Sequence, residues 1–168
     1  LLMGLLTPYA SAEHVTALAA TGVTAFAMEL LPRISRAQSM DILSSQGAAS
    51  GYECVLIAAS RTPKFFPMLT YAAGTIRPAR VLVIGAGVNT GVSAAGSGGY
   101  ARELTTEEKE QQAQALAKAV AESDVLITTA AVPGKKAPVI VTRAMVEAMR
   151  PGSVVVDMAA GGVGTVER

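Results

Sequence analysis

The sequence predicts an α/β fold, a mostly parallel sheet with helices layered on it, and three observations carry that prediction. Alanine, valine and leucine supply most of a 51% hydrophobic content while aromatics make up only 4%, the profile of helices on a parallel sheet and not of an aromatic-rich sandwich. Strand-like apolar runs alternate with helical periodicities along the chain, the order that parallel crossovers require. One such run, Arg80-Val81-Leu82-Val83-Ile84, has the continuous apolar character of a strand buried on both faces and ends on Gly85.

Taken in order, residues 2–6 read as a buried strand and 11–21 as a helix with Val15, Leu18 and Ala19 on one face, closed by Gly22. Residues 23–28 read as a second strand, completing a β-α-β unit. Because that unit begins on a strand at the very start, the amino terminus is expected to be truncated. Ser35 is expected to cap a long helix over 36–60, with Tyr52, Val55, Leu56 and Ala59 at helical spacing, bridging two lobes. Pro63, Pro67, Gly74 and Pro78 then punctuate what reads as an irregular connection. Thr105 followed by Glu108 forms a capping box for a helix to about residue 123, with Ala113, Leu116, Ala117, Val120 and Ala121 as its buried stripe. Residues 125–129 and 154–158 read as two more strands, separated by the Pro133-Gly134 loop and a short helix over 142–149. The expected organisation is a remnant of an outer α/β lobe at 1–35, a linking helix and connector at 36–78, and a Rossmann-like, doubly wound parallel sheet at 79–168.

Composition narrows the function. At 168 residues the chain suits one domain, or one domain with part of another. A formal charge of +1 with acidic and basic residues intermixed offers no basic stripe to track a phosphate backbone, so nucleic acid is not an expected partner. Cys54 is the sole cysteine, which excludes an internal disulfide and a thiolate metal cluster. Its apolar neighbours Val55-Leu56-Ile57 predict a buried, inert thiol suited to a reducing compartment. No apolar run approaches the roughly 20 residues of a spanning helix, so the chain itself is expected to be soluble.

The run into Gly85-Ala86-Gly87-Val88 carries the first chemical signal. The first glycine permits a sharp turn off a strand, the second lets backbone approach a pyrophosphate, and that pattern points to NAD(H). The same pair also suits a plain tight strand exit, and the remainder of the signature is broken. The next glycine is Gly91, and Val92 to Gly99 shows no amphipathic period. A parallel crossover needs a helix of about ten or more residues, and in this fold a second strand then ends in the acid that binds the adenosine ribose. Neither occurs between Val88 and Tyr100. The sequence is therefore expected to join separately ordered pieces across a gap near 88/89, and the ribose-binding acid has no candidate.

Pro32-Arg33-Ile34-Ser35-Arg36-Ala37-Gln38-Ser39-Met40-Asp41, the segment Ala72-Ala73-Gly74-Thr75, the glycine run ending at Val88, Gly98-Gly99-Tyr100-Ala101-Arg102-Glu103, and Ile127-Thr128-Thr129-Ala130 with Pro133-Gly134-Lys135 together resemble the NAD(H)-binding domain I in the alpha subunit of proton-translocating NAD(P) transhydrogenases, a group related to alanine dehydrogenase. The resemblance covers nearly the whole chain in order. It departs in lacking the family's amino-terminal region, the helix and second strand after the glycine loop, and an acidic residue between Ala160 and Gly161.

The resemblance implies that this domain presents NADH to an NADP(H)-binding partner domain, so that hydride passes directly between nicotinamides while a membrane domain couples the exchange to proton movement. It implies a homodimer at the cytosolic or matrix face of a membrane, held there by partner subunits. Such chemistry uses no metal and no enzyme nucleophile. By matching motif, Arg33, Gln38, Asp41 and Ser44 would surround the nicotinamide, the last three at three-residue spacing on one helical face; read alone, such a run is more often an N-cap region with solvated polar residues. Gly85, Gly87 and Val88 would lie against the pyrophosphate. Gly99 and Tyr100 match the loop that closes over bound nucleotide, and Gln112 and Ala131 match further NAD contacts. Lys135 and Lys136 suit a phosphate or a merely solvated loop, and His14 is expected to be solvated. Two other readings stay open: an alanine-dehydrogenase-like enzyme acting on a free amino acid, and a non-catalytic NAD-binding module.

Overall fold

The structure is a computed structural model that describes residues 1–9, 11–32, 34–85, 105–130, 137–160 and 164–167. The described residues divide into two compact units, one running from Leu1 to Glu53 and the other formed by the described residues from Cys54 onward. The expected junction at 88/89 lies outside the described residues, as do Arg33, Gly87, Val88, Gly99, Tyr100, Ala131, Lys135 and Lys136.

In the first unit, β1 (Leu2–Gly4) pairs in parallel with β2 (Ala25–Ala27), with Leu2 opposite Ala25 and Gly4 opposite Ala27, and α1 (Ala12–Ala20) lies between them in sequence. Ser11 caps α1 by accepting from the His14 amide, and Gly22 leaves the helix at φ +65°, a conformation glycine adopts without a Cβ penalty. The β-α-β unit is therefore real. Its burial differs from expectation: Met3 is 61% exposed, Phe26 54% and Val15 43%. Ala37 is the one buried side chain among the described residues of this unit. Two three-residue strands offer little sheet to cover, and an apolar strand is buried only where a second layer packs on it.

A 3₁₀ turn at Met28–Leu30 carries Glu29 back over the end of β1. Glu29 Oε1 accepts from the Leu6 amide at 2.9 Å and from the Thr7 amide. Thr7 sits at φ +47°, a left-handed conformation that is strained for a β-branched residue.

The single helix expected over 36–60 is two elements, a 3₁₀ helix Ser35–Met40 and α2 (Ile42–Arg61). The break falls at Asp41, whose backbone (φ −73°, ψ 87°) leaves the helical region. Its carboxylate accepts from the Ser44 amide at 3.0 Å and the Ser44 hydroxyl at 2.7 Å. Aspartate caps a helix better than it continues one, because its side chain competes for backbone N–H groups. Ser35, expected to be the cap, is the first residue of the 3₁₀ helix, and Ile34 stands at the N-cap position. The buried face is also corrected: Cys54 and Ala58 are buried, while Tyr52, Val55, Leu56 and Ala59 are exposed. Because α2 carries apolar residues nearly all round, spacing alone did not select the covered face.

The connection after α2 is less irregular than expected, since β3 (Leu69–Tyr71) and β4 (Gly74–Ile76) form an antiparallel hairpin closed over Ala72-Ala73. The second unit is organised by a parallel sheet in the order β5 (Val81–Ile84), β6 (Val125–Thr128), β7 (Val154–Asp157). In register, Val81, Val125 and Val154 form one row and Ile84, Thr128 and Asp157 another. Helices cover both faces of β6 and β7, but β5, expected to be buried on both faces, leaves Val81 41% and Val83 42% exposed, because the α2 face packs on β6 and β7 alone. Cys54 and Ala58 of α2, with Phe66, pack on Val125, Ile127, Val154 and Val156. On the other face, Leu116 and Val120 of α3 (Thr106–Glu122) and Met145 and Val146 of α4 (Arg143–Glu147) pack with Ile84, Leu126 and Val155. The capping box at Thr105 and Glu108 is fully formed, with Thr105 N donating to Glu108 at 2.9 Å and Glu108 N to Thr105 at 3.3 Å. Ala113, expected in the buried stripe, is exposed.

At the amino edge of the sheet, Asp124 is 6% exposed and ties four segments together. It accepts from Lys64 Nζ at 2.6 Å and the Arg80 amide at 2.9 Å, with Arg150 at 3.7 Å. Burial alone would push its carboxyl up, but these donors and cations outweigh burial and hold it below the ordinary carboxylate value.

Candidate functional site

Two places in the structure gather the residues singled out from the sequence. In the first unit, Gln38, Asp41 and Ser44 line one hollow of about 430 Å³ together with Ile34, so the structure brings these three together. It does so differently from expectation. Gln38 belongs to the 3₁₀ helix, Asp41 to the break and Ser44 to the first turn of α2, and the change of helix type at Asp41 swings all three toward one concavity. With the Ser44 hydroxyl proton directed at Asp41, the Ser44 oxygen presents acceptor character, while Gln38 offers both an N–H donor and a carbonyl acceptor. A carboxylate, a hydroxyl and an amide around a small hollow suit a ligand that itself carries an amide.

The second place is the carboxyl edge of the β5–β6–β7 sheet, where open α/β sheets receive ligands. Gly85 leaves β5 at φ +123°, and a Cβ built there would lie 2.6 Å from Thr129 Oγ1, 2.8 Å from Ala130 N and 2.9 Å from Thr129 C. Only glycine fits. The cause is the crossing of residues 129–130 directly beneath it, fixed by Thr129 N donating to Ile84 O at 2.8 Å. Gln112 stands half-buried on α3, and among the described residues no hydrogen bond or cavity ties it to Gly85.

Sequence reasoning passed over Asp157, which ends β7 on this same edge. Its carboxylate accepts from Thr128 Oγ1 at 2.8 Å, Ala159 N at 3.0 Å, Thr165 N at 2.7 Å and Val166 N at 3.2 Å. Burial would push the carboxyl up, but the Thr128 hydroxyl and the three amides outweigh it and hold the group below its ordinary value. Gly164 makes room for it: at φ +81°, a Cβ there would stand 2.9 Å from Asp157 Oδ2. The available signal was an acid closing the otherwise apolar run Val154-Val155-Val156.

Comparison with known proteins decides the family. The family model described as "Alanine dehydrogenase/PNT, C-terminal domain" matches residues 54–99 and 97–168, and the corresponding N-terminal domain matches residues 1–50. The chain belongs to the alanine dehydrogenase/PNT family. Among curated members, it is 43% identical over 191 residues to an NAD(P) transhydrogenase subunit alpha protein of Rhodospirillum rubrum, covering 88% of this chain and 50% of that protein. The aligned stretch is longer than the 168 residues here, so that relative carries intervening residues that this chain lacks. Among solved structures, the transhydrogenase from Sinorhizobium meliloti matches with a TM-score of 0.83 at 38% identity, over 98% of this chain and 55% of that one. An L-alanine dehydrogenase matches with a TM-score of 0.70 at 26% identity, over 99% and 52%. The chain thus spans about half the length of the family members it matches. The family's Rossmann-like α/β architecture is the one seen around β5–β7.

Proposed function

We propose that this chain is the NAD(H)-binding component of a proton-translocating transhydrogenase, in which hydride passes directly from NADH to NADP held on a partner domain and a membrane partner couples the exchange to proton movement. The observation that carries the reading is the convergence of Gln38, Asp41 and Ser44 on one hollow, in a chain whose relatives at 43% and 38% identity are named transhydrogenases. No helix among the described residues is long and apolar enough to cross a membrane, and the proposal assigns the membrane step to a partner. A homodimer at the cytosolic or matrix face belongs to the same proposal.

The residues fit the cofactor. Gln38, Asp41 and Ser44 supply the donors and acceptors that a nicotinamide carboxamide requires, and Gly85 supplies the tight strand exit that precedes a pyrophosphate loop. The bound coenzyme supplies the transferable hydride. Everything asked of the protein is positioning. Gln38 and Asp41 hold the carboxamide and so fix the plane of the ring; Ser44 orients the Asp41 carboxylate by donating to it at 2.7 Å. By sequence motif, Arg33 is assigned to the same nicotinamide group, Gly85, Gly87 and Val88 to the pyrophosphate, and Gly99, Tyr100, Gln112 and Ala131 to the remaining nucleotide contacts.

The similarity to L-alanine dehydrogenase supports a second reading, an NAD-dependent enzyme acting on a free amino acid. One experiment separates the two: NADH oxidation by the intact protein with an NADP analogue and the NADP-binding partner present, and in parallel with pyruvate and ammonia. Turnover in the first alone is expected. Turnover in the second alone would replace the proposal, and tight NADH binding without turnover in either would leave a non-catalytic nucleotide-binding module.

A further inference from the structure

Thr128 and Asp157 stand side by side across β6 and β7, in the last register row of the sheet, with Ile84 on the other side of Thr128. Thr128 is completely buried, and its hydroxyl donates to Asp157 at 2.8 Å. The next residue, Thr129, is the one that forms the floor beneath Gly85. A tether at Thr128 therefore fixes where that floor lies. The tolerance is small, since a missing side chain at Gly85 already leaves backbone and hydroxyl within van der Waals reach.

The carboxylate has no acceptor capacity left for chemistry. Its two oxygens offer about four lone-pair sites, and Thr128 Oγ1, Ala159 N, Thr165 N and Val166 N occupy four. It cannot take a proton from a substrate without losing one of these bonds. An asparagine would not replace it, because an NH₂ in place of either oxygen would face amide donors.

We propose that Asp157 is a positioning residue for the dinucleotide, holding the sheet's carboxyl edge through Thr128 and through the amides of Ala159, Thr165 and Val166 without touching the ligand; this rests on the nucleotide-binding reading above. Its effect belongs to NADH affinity and not to hydride transfer once NADH is bound.

The test measures NADH Kd, and kcat at saturating NADH in the intact complex, for Thr128→Val, Thr128→Ser and Asp157→Asn. Loss of a charge-assisted hydrogen bond should raise Kd about tenfold for Thr128→Val and at least that for Asp157→Asn, with kcat within about twofold. Thr128→Ser, which keeps the hydroxyl, should restore Kd to within about twofold of the unsubstituted protein. Thr128→Val is isosteric inside an apolar strand and carries the test if Asp157→Asn does not fold. A lowered Tm with unchanged NADH Kd in Thr128→Val would overturn the proposal and leave a purely structural tether. Absence of NADH binding by the unsubstituted protein would overturn the nucleotide reading, and this inference with it.

Discussion

Replacing Gly85 with alanine tests the close crossing at the head of the β5–β6–β7 sheet. The added methyl meets three atoms at 2.6, 2.8 and 2.9 Å, two of them backbone, so side-chain rotation cannot relieve the contact. The residue also sits at φ +123°, where an L side chain costs about 1–3 kcal/mol. Overpacking against backbone adds about 1–3 kcal/mol. Together these give about 2–6 kcal/mol, a large fraction of the roughly 5–15 kcal/mol that holds a domain folded. For a chain of this size the corresponding fall in Tm is about 10 °C. Gly51, in the middle of α2, is the matched control: nothing lies within 4 Å of a Cβ there and its φ is not positive. Gly51→Ala should stabilise by about 0.5–1 kcal/mol through helix propensity. Thermal and urea unfolding of both variants, without nucleotide, reads the contrast. A Gly85→Ala protein within about 1 kcal/mol of the parent would refute the reasoning, because it would mean that residues 129–130 do not cross beneath β5 as described.

Acid should destabilise the second unit through its two aspartates. Asp124 and Asp157 are both held below their ordinary 3.8, so the stability they contribute is fully present above about pH 5 and is lost as pH falls through 3.8 toward the depressed folded values. Asp124→Ala should cost about 2 kcal/mol near neutral pH and flatten that acid limb; an unchanged acid limb in urea titrations from about pH 3 to 7 would contradict it. Thr7→Gly should raise stability by about 1 kcal/mol by removing the strain of a β-branched residue at φ +47°, and a lower Tm would show that the turn is not strained.

Much of the second unit was legible because its local signals agree. The capping box at Thr105, the apolar runs at 81–84 and 125–128, and the Val154-Val155-Val156 run each specify one element by chemistry acting over a few residues. On α2, apolar residues around most of the circumference hid the Cys54–Ala58 face, which is set by the sheet it packs on and not by spacing. Asp41 was read as one polar residue in a helix when it is the cap that begins one. The hairpin at 69–76 lacks an Asn-Gly or Asp-Gly turn, so nothing local announced it. For the site, polar residues at three-residue spacing were visible as a group, but the reason they converge is the helix break between them. The role of Asp157 was not visible, because it depends on amides from residues as far as nine positions on.

The central claim is that Gln38, Asp41 and Ser44 grip the nicotinamide end of NADH. Calorimetric titration of the intact protein with NADH and with ADP-ribose, which lacks nicotinamide, for the parent and for Gln38→Ala, tests this directly. The account predicts that Gln38→Ala weakens NADH about tenfold and leaves ADP-ribose unchanged. Equal losses for both ligands, or none for either, would contradict it.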